Sequence, residues 1–546
     1  MPKFLMVRFR NPNGCVHASK IFSPALMSHQ RGQALVLALV CMVVLVVGLL
    51  VLFNTGQAVS KKVQLVNAAD AAAYSAAVEQ ARAYNLIAYM NRAEVANEVA
   101  VAQIVTLYSM TNYLLSATKN LKETTRNLSY ALYVLGIVTE GATIPIANAF
   151  QRVASILGKA QSVITNVRSG MQQPFSLGVQ FLSQVLNHGY SIATSAILKI
   201  TPADAGYIAK EIVEKNTDGK ARLGTRGVFL LAGQYRSAEA YTNRYRLDKD
   251  PSNANAAGAD RFANVVMEAR DGFSRERNAD TAFGHISKRG GTDVVTSSNA
   301  RRYYDSFVAA DTLDFHLNAP WPMKDVDLAM AWGGAAAINR TTGGFARVAL
   351  QGYETLDRRG WYSPYTTEQS LHIDRYGGAV DNHKAGKKVR NDPAVGQTGK
   401  GWLKGYAGLQ DYDDIKDDKA TMPYLNGKSA NENGVNALDV GPVFTVAIEQ
   451  GMNTVRTSNN VDGLGGPPDF EVPDKTIKDK MTAISSAQVY FDRPRGLLDN
   501  IIDSRRELGS LFSPYWQARL IDTSCSERQL IALSYGSVAP CIPSKG

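Results

Sequence analysis

Clustered carboxylates are the first feature of this chain that could do chemistry. The run DYDDIKDDK at 411–419 brings Asp411, Asp413 and Asp417 together, a donor set that suits a hard cation such as calcium. It lacks the glycine at the sixth position and the glutamate at the twelfth that an EF-hand loop requires, and Lys416 interrupts it, so a solvated acidic loop is expected. The seven histidines stand at 17, 29, 188, 285, 316, 372 and 383, with no pair at i, i+4 and none beside a cysteine pair, so zinc-site spacing is absent. NGKS at 426–429 ends like a phosphate loop, but Met422 occupies the position of its first glycine. No G-x-S-x-G elbow occurs, and scattered serines, histidines and aspartates define no triad. The expectation is a non-enzymatic protein with no catalytic residue, metal or cofactor.

What the sequence specifies strongly is placement. From Gln33 to Ser60 there is no charged residue, and Ala34 to Phe53 is nearly unbroken apolar sequence, about the 20 residues a helix needs to cross a bilayer. A cleaved signal peptide has a shorter apolar region of about 7–15 residues, so a retained anchor is expected. Residues 1–32 carry Lys3, Arg8, Arg10, Lys20 and Arg31 and no acidic residue, which puts the N-terminus in the cytoplasm and everything after Phe53 on the far side. Met27 opens MSHQRGQALVLALV and is an alternative start. Half of the formal net charge of +10 lies in that short tail, which removes most of the support for a nucleic-acid partner. Of the four cysteines, only Cys525 and Cys541 share an oxidising compartment in this topology; they either close a C-terminal disulfide or stay as two buried thiols.

Between Gly56 and Gly136 neither glycine nor proline occurs, a strong argument for helix, with Val101, Ile104, Val105 and Tyr108 as a buried stripe. A fold-back is expected near Lys119 to Arg126. A second helix carries Ile146, Phe150, Val153, Leu157, Ala160 and Ile164 in steps of four and three, either packed in a bundle or facing a partner helix. After Gly170 and Pro174 another helix runs toward Pro202. Beyond 203 the composition shifts to Gly, Asn, Asp, Tyr and Trp; GVFLLAG (227–233) and GPVFTVAIEQ (441–450) fit strands, DRFANVVMEARDGF (260–273) fits helix, and the stretches at 394–402 and 459–474 fit loops. The fold class expected is one N-terminal transmembrane helix (33–53, after a basic tail 1–32), a mainly helical stalk or bundle (54–202), and a loop-rich α+β exported region (203–546).

The residues RGQALVLALV (31–40), the apolar run and QLVNAADAAAYSAA (64–77) together resemble the N-terminal signature of TadG-like proteins of tight-adherence (Tad/Flp) pilus systems. A weaker resemblance to longer exported proteins with this N-terminus lies in AQVYFDRP (487–494) and LFSPYWQARL (511–520). Beside the resemblance stands a physical reading: Asn67, Ala69, Asp70 and Ala72 are small or short, so another helix can approach closely there, although an alanine-rich helix chosen for propensity explains the same residues. Pilin-type processing follows a glycine with glutamate five residues on; Gly32 is present here, but Leu37 holds the acidic position, which argues against an ordinary pilin subunit. Some TadG-like proteins resemble von Willebrand A domains, whose D-x-S-x-S binds a divalent cation. Asp522, Ser524 and Ser526 spell that string, yet only 20 residues follow, so a polar C-terminal loop is expected.

The resemblance implies a single-pass inner-membrane protein, with its bulk periplasmic or otherwise extracytoplasmic, that assists assembly, anchoring or surface attachment of a type IVb pilus. Its partners would be the inner membrane and other pilus-assembly or envelope proteins. Aromatic loops with Trp321, Trp332, Trp361 and Tyr362 are candidates for an adhesive surface, with core the expectation for most of them. The alternatives are a tethered hydrolase or cell-wall-modifying enzyme, and a sensor acting through other membrane proteins.

Overall fold

A computed structural model describes residues 31–248, 256–280, 285–295, 302–317, 326–338, 402–416, 440–455, 480–493 and 509–534. The chain divides into two units: one of 1–61 with 453–475, and one of 62–452 with 476–546. A long apolar helix at the N-terminus, a candidate membrane span, is followed by a mixed region of helices and strands.

The glycine- and proline-free stretch forms the body of helix α1 (Arg31–Val138), which continues straight through the fold-back expected at Lys119 to Arg126. The turn comes at 139–143, where Glu140 and Gly141 take positive φ (50° and 93°) and the Gly141 amide bonds the Gly136 carbonyl at 2.8 Å. The polar residues at 119–126 lie within the helix, and Lys122 donates to Gln161 on the next helix (3.3 Å). That helix, α2 (Ile144–Gln180), absorbs Gly170 and Pro174 rather than ending at them; a π-helical turn (Phe181–Asn187) and α3 (His188–Asn216) follow without a loop, Pro202 lying inside α3. α1 and α2 form an antiparallel hairpin, tied by Ser129 Oγ donating to the Ala147 carbonyl (2.8 Å) and Thr143 Oγ1 to the Leu132 carbonyl (2.8 Å).

Next come β1 (Ala221–Leu223), α4 (Thr225–Tyr241), β2 (Thr242–Tyr245), α5 (Ala256–Ala269), α6 (Gly272–Arg275), β3 (Ala279–Asp280), β4 (Ile286–Val295), β5 (Ser306–Leu317), β6 (Val326–Ile338), β7 (Trp402–Lys404), β8 (Tyr412–Ile415), β9 (Val440–Gly451), β10 (Lys480–Phe491), β11 (Trp516–Ile521) and α7 (Cys525–Ser534). The run GVFLLAG is therefore helical, inside α4, not a strand; a five-residue apolar run does not distinguish the two states by periodicity. GPVFTVAIEQ is strand β9 and DRFANVVMEA lies in α5, as expected.

One sheet has the order β1-β9-β10-β11, antiparallel throughout. A second has the order β3-β4-β5-β6-β7, antiparallel except for the β6–β7 pair. β2 and β8 form a separate two-stranded ribbon. The helices do not stand apart from these sheets. Leu65 to Ile87 of α1 share one apolar core with Ala205, Ala209 and Val213 of α3 and with Phe444, Val446 and Ile448 of β9. Val95 to Tyr108 share the other core with α5 and with β4 to β7. Strand and helix approach closely at Gly333 of β6. A Cβ built there would overlap the Tyr113 amide nitrogen and sit 2.6 Å from the Ser109 carbonyl oxygen, so only glycine lets α1 lie against this strand.

Candidate functional site

Two features of α1 carry the functional argument: the apolar segment with the small-residue stripe that follows it, and a buried acidic layer further along.

Side chains from Ala34 to Phe53 are mostly exposed; Leu35 and Leu52 are each 69% accessible. Exposed leucines and valines around a whole helix are stable in lipid and not in water. Among the described residues this is the one helix long and apolar enough to cross a membrane. Cys41 lies in it as a free thiol.

In the stripe beyond, Ala68, Ala69, Ala72, Ala73, Ala76 and Ala77 are all buried within the chain's own core, whereas Asn67 is exposed and Asp70 half-buried. The alanines thus face α3 and the first sheet, and the close approach their size permits is made within this chain. Larger aromatic groups take over where the stripe ends: Tyr84 meets Trp516 edge-on at 5.2 Å and stacks on Tyr241 at 6.2 Å. Ala72→Leu is expected to overpack this core and lower stability by about 1–3 kcal/mol, read as a fall in denaturant midpoint without loss of membrane attachment.

Between the two apolar cores the same buried face of α1 turns polar. Asn91, Glu94 and Glu98 follow one another at steps of three and four, all fully buried. Asn91 Nδ2 donates to the carbonyls of Asp413 (3.0 Å) and Leu511 (2.7 Å). Glu98 accepts from Asn187 Nδ2 and from the Tyr406 hydroxyl, each at 2.7 Å. Neither carboxylate oxygen of Glu94 has a hydrogen-bond partner among the described residues. Nearby, Asp413 accepts from Arg244 (2.7 Å) and Thr194 (2.8 Å), and Asp411 from Arg302 (2.7 Å).

The described part of the acidic run, 411–416, is therefore not a solvated loop. Residues 412–415 are strand β8, with Asp413 and Asp414 buried and neutralised by arginines distant in sequence; Arg261 lies 3.5 Å from Asp414. Asp417 lies outside the described residues. No group of three or more potential metal ligands occurs among the described residues.

Burial pushes the Glu98 carboxyl up to about 7, against the pull of its two hydrogen bonds. Burial first, then the Glu98 charge, raise the Glu94 carboxyl well above the usual carboxylate range despite Arg244 nearby. A carboxyl whose pKa is higher folded than unfolded stabilises below its unfolded value of about 4.5 and loses that contribution as pH climbs through the folded value. Stability is expected to decline between pH 4.5 and 7, by on the order of 3 kcal/mol from Glu98. Glu98→Gln should flatten that slope; thermal melts across the window test it, and an equal slope in both proteins would refute the assignment.

The string DTSCS starts a helix. Ser524 Oγ accepts from the Glu527 amide (3.3 Å) and donates to the Glu527 carboxylate (2.7 Å), so it caps the start of α7 rather than lying in a loop. Cys525 is disulfide-bonded, and Cys541 lies outside the described residues. Trp332 is half-buried in β6 against the second core; Trp321, Trp361 and Tyr362 lie outside the described residues, as do the loop stretches at 394–401 and 459–474. Sequence reasoning missed the acidic layer. Its signal was present in MNRAEVANEVA (90–100), where asparagine and glutamates fall in phase with the apolar positions on either side.

Residues 32–80 match the model of the Tad family, described as "Putative Flp pilus-assembly TadE/G-like". The match covers the apolar segment and the alanine stripe and stops short of the acidic layer. Comparison with curated proteins and with solved structures found nothing that matches.

Proposed function

We propose, with a Tad-type segment at residues 32–80 as the premise, that the chain is a non-enzymatic, single-pass inner-membrane protein. In this reading Ala34 to Phe53 cross the bilayer, the basic tail stays inside, and the remainder works outside the cytoplasm in assembling, anchoring or attaching a Tad/Flp pilus to a surface. The observation that carries it is the coincidence of the family match with the exposed apolar helix and the alanine stripe directly behind it. The role is mechanical. The anchor fixes position, the alanine stripe fastens the helix beneath the first sheet, and the outer surface meets other envelope components. The anchored topology is tested by an alkaline phosphatase fusion just past Lys62, active only outside the cytoplasm; activity is expected. Deleting the gene in the native bacterium is expected to abolish or sharply reduce piliation and surface attachment, with rescue by the full chain. Normal piliation and attachment in the deletant would overturn the role while leaving the topology standing.

A further inference from the structure

The α1–α2 hairpin exposes an apolar face with the periodicity of a coiled coil. On α1, Leu107, Leu114, Leu121, Leu128 and Leu135 repeat at strict seven-residue intervals, and each is 43–51% accessible. Three residues after each leucine stand Met110, Ala117, Thr124, Ala131 and Val138, which completes an a/d pattern of five heptads. α2 repeats the device: Ile146, Val153, Ala160 and Val167 alternate with Ala149, Ile156 and Val163, the larger ones exposed, with Ile156 at 65%. Neither seam contains a charged residue.

Both seams lie on the same side of the hairpin. On α1 the side chains of Lys122 and Ser129, which bond Gln161 and the Ala147 carbonyl of α2, fall one position after a leucine of the seam. On α2 the residues turned back, Ala147, Ala154 and Gln161, fall one position after a seam residue. The seam is thus offset by about a quarter turn in the same sense on each helix. Because the helices are antiparallel, equal offsets bring the two seams to one broad face.

Three properties of this face select its occupant. A strict seven-residue repeat drifts about 20° per heptad on a straight helix and holds its direction only against another helix in a supercoil, a constraint that a lipid surface does not impose. The exposed aliphatic residues of the two seams together equal about six fully exposed ones, on the order of 800 Å² of apolar surface, which is one partner's share of a standard interface. Charge fits a second copy: with a two-fold axis along the hairpin, α1 lies across from α2 of the partner, where Arg152 and Lys159 beside the α2 seam meet the neutral Asn127 and Asn120 beside the α1 seam.

We propose that this face docks on the same face of a second copy of the chain, the two hairpins closing into a four-helix bundle. The inference is independent of the pilus reading. The test is the mass of the full-length protein in detergent, measured by light scattering over a dilution series. Two copies per particle are expected. The pair Leu121→Glu with Ile156→Glu should weaken association by roughly 100-fold or more, to monomers, since each copy would bury uncompensated charge. Because both side chains are exposed in a single copy, circular dichroism and melting temperature should not change. A wild-type monomer at every concentration overturns the proposal, as does a dimer indifferent to the two glutamates. A monomer whose Ile156→Trp emission shifts to the blue only on adding phosphatidylglycerol vesicles also overturns it and assigns the face to lipid.

Discussion

Gly333→Ala is expected to destabilise the protein by about 3 kcal/mol or more, although it adds a single methyl group. That methyl would overlap the Tyr113 amide nitrogen and press on the Ser109 carbonyl, both backbone atoms of a continuous helix. Neither side can give. α1 is held to β6 at this level by Asn112 Nδ2 donating to the Gly334 carbonyl (2.7 Å) and by the Trp332 amide donating to Ser116 Oγ (3.2 Å). Relief of the overlap would lengthen both bonds and open the second core. Gly206→Ala, in α3 where nothing lies within 4 Å, provides the contrast and should be neutral or stabilise by up to about 1 kcal/mol. Denaturant midpoints of the two variants measure the difference; a Gly333→Ala protein as stable as the parent would mean that the helix does not rest on this strand.

Asp311→Ala is expected to cost about 3–5 kcal/mol, the scale of breaking a buried ion pair from one side. Asp311 is fully buried and accepts from Arg277 Nε (2.8 Å), Arg277 Nη2 (3.1 Å) and Ser109 Oγ (2.7 Å), with Lys288 Nζ at 3.5 Å. Burial alone would raise its carboxyl, but the Arg277 guanidinium and the other donors outweigh this and hold it below the usual range. Removing the carboxylate leaves Arg277, only 2% exposed, as an uncompensated charge. The double variant Asp311→Leu with Arg277→Met should recover much of the loss, since replacing both partners with apolar groups avoids the stranded ion. Equal destabilisation of the single and double variants would show that shape, not charge, dominates at this position.

The parts of this structure legible in the sequence are those governed by local rules. The apolar membrane-length run, the long absence of helix breakers and the short apolar run of β9 each depend on residues a few positions apart. The pairing of Asp411, Asp413 and Asp414 is not legible locally, because their neutralising partners, Arg302, Arg244 and Arg261, lie more than 100 residues away. Pro174 and Pro202 were treated as ends because proline removes a helix hydrogen bond, but packing of α2 and α3 on the rest of the chain outweighs the loss. Composition changes near 203, whereas the two apolar cores run across that point and α1 contributes to both, a pairing set by contacts far apart in sequence. Glu94 and Glu98 were overlooked for a similar reason. Glutamate on a helix is ordinarily a solvent-facing residue, and only Tyr406, Asn187 and the strand at 412–415 make these two internal.

The bonds made by Asn91 have a consequence for biogenesis. Its side chain is satisfied by carbonyls of residues 413 and 511, so a helix near the start of the chain waits for acceptors that lie 322 and 420 positions later. Contacts of that separation slow folding, because nearly the whole polypeptide must be delivered before they can close. During that interval the alanine stripe and the acidic residues of α1 have no cover. A chain ending before Leu511 should accumulate as a protease-sensitive species however complete its helices are.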